Sequence, residues 1–264
     1  MKMPTLFIPH GAGPCFFMKW NPVHEWEGLS HFLSNIPLDL PDKPKALLVV
    51  SAHWEERLAT VTSSTDPNLI FDYHGFPPET YQLKWPVKGS PDLADRVRHL
   101  LLDAGIESAS TSSRGLDHGV FIPMLLSFPL ADVPTVQLSL VNNLDPKDHL
   151  LIGKALAPLR DEGVLIIGSG FSYHNMRGFN TQSGLIASQR FDEWLGYIID
   201  GKSSELRNQN LIKWKEAPDA WNCHPRSEHL APIFVVAGAA LDDYGKRTYN
   251  DQVLGIKTSA FKFG

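Results

Sequence analysis

What the chain has little of narrows its class before any motif is read. It holds two cysteines, Cys15 and Cys223, in 264 residues. That is too few for a disulfide framework and fits a reducing compartment. No stretch approaches the roughly 18 consecutive apolar residues of a membrane span. The opening "MKMPTLFIPHGAG" has an apolar run too short for a signal-peptide core. Lysine and arginine form no cluster, and the formal net charge is -5. Nucleic acid and anionic membrane surfaces both need concentrated positive charge, so neither is expected as a partner. There is no internal repeat, no low-complexity tract and no linker that cuts the chain, and neither HExxH nor CxxC occurs. The expectation is a soluble cytoplasmic protein folded as one catalytic domain over residues 1–264, long enough to bury a sizeable core.

The elements follow from hydrophobic periodicity. Short, branched, apolar runs predict strands at 4–9, 45–51, 58–63, 133–140 and 163–169, with a weaker one near 253–261. Helices are predicted between them, at about 23–35, 91–104, 119–127, 146–160, 186–200 and 230–241. Segment 91–104 starts with Pro91, which suits a first helical position, and carries its apolar residues on one face. Strands alternating with helices predict an α/β fold: a single domain with a central, mostly parallel or mixed sheet and helices on both faces. Residues 71–91 form a long irregular segment with several prolines and aromatics. A loop of that length in a compact domain usually carries function.

The eleven histidines are informative through their placement. His10 ends "TLFIPH", His53 ends "LLVVSAH", and His174 lies just past "VLIIGSG". If those strands are parallel neighbours, all three imidazoles reach the same edge of the sheet, where open α/β folds build their sites. Small residues accompany each: Gly11 and Gly13, Ser51 and Ala52, Gly168 and Gly170. His118 and His229 stand at predicted helix starts. Any one of these is more often a core histidine satisfied by a hydrogen bond. Three converging on one edge, with two more at helix starts, favour a shared site. Neutral imidazole is the commonest metal ligand and also titrates near neutral pH. Three histidines leave open positions on Zn(II) or Fe(II), and a further unligated one can move protons.

Other residues carry bland readings beside the sharper ones. Tyr73, Phe76 and Tyr81 either wall an aromatic substrate pocket or pack the loop that bears them. Cys15 reads as a buried thiol rather than a soft ligand, and Cys223 with His224 lacks a third partner for nucleophilic catalysis. His24, His31, His99 and His149 fall in helical stretches and are expected on the surface. Asp117 is expected to cap the helix that follows it rather than to orient a ring nitrogen.

Six motifs, in order, carry a resemblance: "PHGAGP" (9–14), "SAHWE" (51–55), "HGFPPETY" (74–81), "LDHG" (116–119), "GSGFSYHN" (168–175) and "PRSEHLAPI" (225–233). Together they resemble the class III extradiol ring-cleavage dioxygenases, in particular the 4,5-DOPA extradiol dioxygenase branch. The resemblance implies a mononuclear divalent metal held by His10, His53 and His229, with Glu228 as the alternative ligand. It implies His174 as acid–base residue and His118 as a pocket residue that contacts substrate. The expected reaction is cleavage of a DOPA-like catechol ring by O2. Fe(II) is the expected metal, because d¹⁰ Zn(II) has no redox step to offer, though Zn(II) can occupy purified protein. DOPA-type members often read "HGSP" where this chain reads "HGAGP", so DOPA itself does not carry over. Two rivals remain on the same residues: a zinc hydrolase with the same ligands, and a non-catalytic binding protein on the same fold. The second would be marked by a lost ligand, and every motif histidine is kept.

Overall fold

Apolar runs become strands here because they are covered on both sides. In the computed structural model, which describes residues 2–264, β1 is Thr5–Pro9, β2 Ala46–Glu56, β3 Ala59–Thr62, β4 Ser108–Thr111, β5 Thr135–Val141, β6 Val164–Gly170, β7 Gly245–Val253 and β8 Ile256–Phe263. They form one eight-stranded sheet in the order β4-β3-β5-β2-β6-β1-β8-β7. The central four, β5-β2-β6-β1, run parallel, while β8 adds antiparallel to β1 and β7 antiparallel to β8. Leu47 to Val50 and Leu165 to Ile167 are fully buried. That continuous apolar pattern is what a parallel strand with two covered faces requires, at about 1.5–3 kcal/mol per buried side chain.

The helices are α1 Glu27–Asn35, α2 Pro91–Asp103, α3 His118–Ser127, α4 Pro146–Leu156, α5 Gln182–Ile199, α6 Ser204–Ile212, α7 Ala220–Cys223 and α8 Pro232–Ala239. They cover both faces. On β6 the Ser169 side chain faces α3, where its hydroxyl donates to the Gly119 carbonyl. Gly168, next along the strand and pointing the other way, abuts the Pro232 carbonyl of α8. Helix α2 opens as its sequence predicts: Pro91 sits in the first turn, and the Ser90 hydroxyl accepts the Leu93 N–H.

The sequence expectations differ from the structure in definite places. Strands β4 and β7 and helices α6 and α7 have no counterpart in the sequence expectations, β4 and α7 being short, α6 weakly amphipathic, and β7 mostly polar and half-buried or exposed. The weak strand near 253–261 is one arm of the β7–β8 hairpin. Strand β2 does not stop at Ser51 but continues to Glu56, carrying His53 within it.

Candidate active site

The parallel centre of the sheet brings the strand-end histidines together. Strand β6 lies between β1 and β2 and is parallel to both, so their carboxyl ends share one edge. His10 follows directly from β1. His53 lies where the pairing of β2 with β5, regular to Val50↔Leu138, shifts before resuming at Glu55↔Leu140. Such a bulge re-aims the side chains within it. The Nε2 atoms of His10 and His53 are 3.0 Å apart. His229 arrives from the loop before α8. Its carbonyl accepts the Phe171 N–H at 2.9 Å, and a Cβ placed on Gly170 would fall 2.1 Å from that oxygen. Glycine at 170 is what lets this loop lie across the strand end. One ring nitrogen from each of His10, His53 and His229 lies within 4.8 Å of the others.

Electrostatics favour neutral imidazoles in this triad. Burial, and then the neighbouring imidazoles, push His10 and His229 well below the ordinary histidine range. Burial, with the charge of His118 next, lowers His53 to about 3. Three uncharged rings with converging nitrogens are the donor set that a divalent ion such as Zn(II) or Fe(II) needs. The Ser169 hydroxyl donates to the Gly119 carbonyl and so can only accept from His10 Nδ1, which leaves His10 Nε2 a bare lone pair turned toward His53 Nε2. The residues present therefore fit a metal.

Two carboxylates frame the triad, each shared between a triad histidine and another histidine. Asp72 Oδ1 accepts from His118 Nδ1 at 2.8 Å and from the His118 backbone N–H at 3.0 Å, while its Oδ2 is 3.8 Å from His53 Nδ1. Glu228 Oε1 lies 3.2 Å from His174 Nδ1 and 3.0 Å from His229 Nδ1. The His174 and His229 rings stack with centroids 3.4 Å apart. Burial works against charge on both carboxylates. It is outweighed at Asp72 by the hydrogen bonds from His118, and at Glu228 by the bond from His174 and a backbone N–H, so both stay below the usual carboxylate range. With Nδ1 held by a carboxylate, His118, His174 and His229 keep Nε2 for the cavity, the usual second-layer arrangement around metal-binding imidazoles, while Asp72 reaches His53 only by charge.

The five histidines form the floor of a cavity of about 240 Å³ whose remaining walls are largely apolar, including Trp26, Phe76, Phe171, Phe179 and Leu254. Tyr73 and Phe76 both line it. The Tyr73 hydroxyl donates to the Thr80 carbonyl at 2.7 Å, so this residue presents its ring rather than its OH. Tyr81 packs behind, donating to the Tyr73 carbonyl.

Two expectations are overturned. His149 is fully buried, not on the surface. The start of α4 docks on the end of β5, so His149 Nδ1 donates to the Asp145 carbonyl and Nε2 accepts the Val141 N–H; periodicity cannot reveal two backbone partners from different elements. Asp117 occupies the N-cap position of α3, yet its side chain makes no cap bond. It accepts instead from Ser51 Oγ at 2.7 Å, from Arg114 at 3.2 Å and from Gln137, because the helix start is buried against β2 and β5. The cap is supplied from outside by Asp72, which sequence reasoning passed over. Its one sequence signal was its position inside the long loop already marked as functional. Cys15 and Cys223 are both buried free thiols, raised by burial, and neither belongs to the grouped ligands among the described residues.

Comparison with known proteins bears on this geometry. Residues 4–261 match the family described as the catalytic LigB subunit of aromatic ring-opening dioxygenase. The chain is 44% identical to the 4,5-DOPA dioxygenase extradiol of Beta vulgaris, over 89% of this chain and 86% of that protein. It is 36% identical to the dioxygenase tasH of Hapsidospora irregularis, over 99% of this chain and 85% of that one. Among solved structures, an uncharacterized protein from Escherichia coli K12 superposes with a TM-score of 0.78 at 27% identity, covering all of both chains. The chain belongs to the LigB family of class III extradiol enzymes and is an aromatic ring-opening dioxygenase.

Proposed function

We propose that this protein cleaves the ring of a catechol-type aromatic with O2, using one Fe(II) held by His10, His53 and His229. The observation that carries the reading is the convergence of three neutral ring nitrogens on the floor of an aromatic-walled cavity. The relationship to DOPA dioxygenases supports the substrate class. When bound there, the metal supplies Lewis acidity toward the catechol oxygens and the redox step that O2 requires.

The protein side of the reaction falls to the other two histidines. His174, with Nδ1 bonded to Glu228, holds Nε2 free to accept the proton of a catechol hydroxyl and later return it. His118, with Nδ1 bonded to Asp72, has Nε2 available to hydrogen-bond a substrate oxygen. The rings of Tyr73 and Phe76 flank the aromatic substrate and keep water from it. No helix among the described residues is long and apolar enough to cross a membrane, and the two buried free thiols suit the reducing cytoplasm.

The test is anaerobic reconstitution of metal-free protein with Fe(II), then addition of air and a catechol panel while oxygen uptake and visible absorbance are followed. Stoichiometric uptake with a coloured ring-opened product, absent with Zn(II) and strongly reduced in His174→Ala, is the expected result. Metal-loaded protein that consumes no oxygen with any catechol would overturn the reading, and turnover of an ester or amide by the Zn(II) form would point to hydrolysis instead.

A further inference from the structure

The walls above the histidine floor say what the ring can carry. Of the fifteen residues that line the cavity, none is Lys, Arg, Asp or Glu. The cations close in sequence to site residues are engaged elsewhere. Arg226 grips Glu55 through two nitrogens, at 2.6 and 2.5 Å, and its Nη1 lies 3.5 Å from Glu228 Oε2, so its charge is already met by two carboxylates. Arg114 is bonded to Asp117. Arg177 follows the wall residue Met176 but lines a separate surface depression with Asp219 and Ser183. A carboxylate or ammonium on a ring substituent turned away from the histidine floor would therefore meet no charged side chain, and an unpaired charge against apolar walls is strongly disfavoured.

A second, independent feature concerns how one apolar wall residue is placed. Leu254 and Gly255 form the two-residue turn between β7 and β8, with φ of 50° and 70°. Positive φ at both positions is the type I′ hairpin pattern, which favours Asn, Asp or Gly at the first. Leucine is disfavoured in this conformation. Here it is held by the Asn180 N–H, which donates to its carbonyl, and by Glu25, which accepts its N–H. Its half-buried side chain points into the cavity wall beside Phe179. A turn residue poor for its backbone but apolar toward the cavity puts the strain at a ligand-facing position.

We propose that this site selects catechols bearing an uncharged, apolar ring substituent and discriminates against those bearing a carboxylate or an amino-acid side chain, with Leu254 as a specificity-determining residue. The inference rests on the catechol-cleaving reading above and sharpens its substrate class.

The experiment compares 4-tert-butylcatechol with DOPA and 3,4-dihydroxybenzoate in two ways: oxygen uptake by the Fe(II) protein, and calorimetric binding to the Zn(II) protein, which needs no turnover. The alkyl catechol is expected to lead by at least about tenfold in kcat/KM and in affinity. Leu254→Arg should shrink or invert that ratio by giving a carboxylate its partner. Leu254→Asn should raise Tm by about 2 °C by relieving the turn, while weakening alkyl-catechol binding. Equal or better use of DOPA or dihydroxybenzoate by the unaltered protein would overturn the inference and leave catechol cleavage standing. An unchanged ratio in both Leu254 variants would remove Leu254 as the determinant. Failure of every catechol to bind or consume oxygen would overturn catechol cleavage itself.

Discussion

The floor and the walls of the cavity are built by different means. Its floor histidines stand on the carboxyl ends of parallel strands, on loops pinned to them, or, for His118, at the start of α3 where Asp117 is bonded to Ser51 of β2, and strand register sets their positions. The walls come from irregular segments: the 71–91 loop, the stretch after β6 and the tip of the β7–β8 hairpin. On the floor, each ring has one nitrogen engaged or converging with its neighbours, and little can move. On the walls, side chains meet the cavity through packing alone. The proposed chemistry is thereby tied to the part of the fold least able to change, and the proposed selectivity to the part that changes most easily.

If that division holds, floor substitutions should cost activity and wall substitutions should redirect it. The largest loss is expected from His53→Ala, which opens the triad: bound metal should fall to background by elemental analysis, and oxygen uptake should drop by about 10³-fold or more, with the far-ultraviolet circular dichroism unchanged. A floor retaining full metal and activity without His53 would break the comparison.

Gly170→Ala comes next, although it touches no histidine side chain. Its new Cβ would meet the His229 carbonyl at 2.1 Å, so the His229 loop must shift. Activity should fall about 10²-fold from the misplacement, and stability by about 1–3 kcal/mol in a denaturant titration.

Asp72→Asn and Glu228→Gln sharpen the comparison from beneath the floor. Each keeps shape but removes the charge that orients a pair of histidines. A loss of about 10- to 100-fold in metal affinity is expected for each, read by competition with a chelator. If Glu228 is itself a ligand, its loss should match that of His53→Ala instead.

The smallest effect on the site should come from His224, which lies off the cavity and is fully buried with Nε2 donating to the Ser172 carbonyl. Burial lowers it to about 4, against about 6.5 in an unfolded chain. The unfolded state thus binds the proton more readily, so stability is intact above pH 6.5 and declines as pH falls toward 4. The loss over that window is about 3 kcal/mol. His224→Gln should flatten this part of the stability–pH curve while leaving catechol affinity at neutral pH unaltered.

Much of the site was legible because its signals are local. A strand of branched apolar residues ending in a small residue and a histidine is readable one segment at a time, and His10, His53 and His174 were found that way. Asp72, Leu254 and the true roles of Asp117 and His149 were not, because each depends on partners from remote segments. Asp72 reads as one more loop acid until His118, 46 residues later, is seen to donate to it twice. Leu254 reads as a strand residue until the hairpin turns at it.

From its sequence alone, this chain is committed to an α/β sheet with helices on both faces, since its apolar runs alternate between lengths and periods that only those elements satisfy. The same sequence commits it to a set of ordered histidine motifs. Only the tertiary structure decides that β6 lies between β1 and β2 and parallel to both, that Gly170 admits the His229 loop, and that two carboxylates share out four imidazoles. These are matters of register and close approach between segments far apart in the chain. Hydrophobic periodicity carries no information about them, because it records which face of an element is buried and not what that face meets.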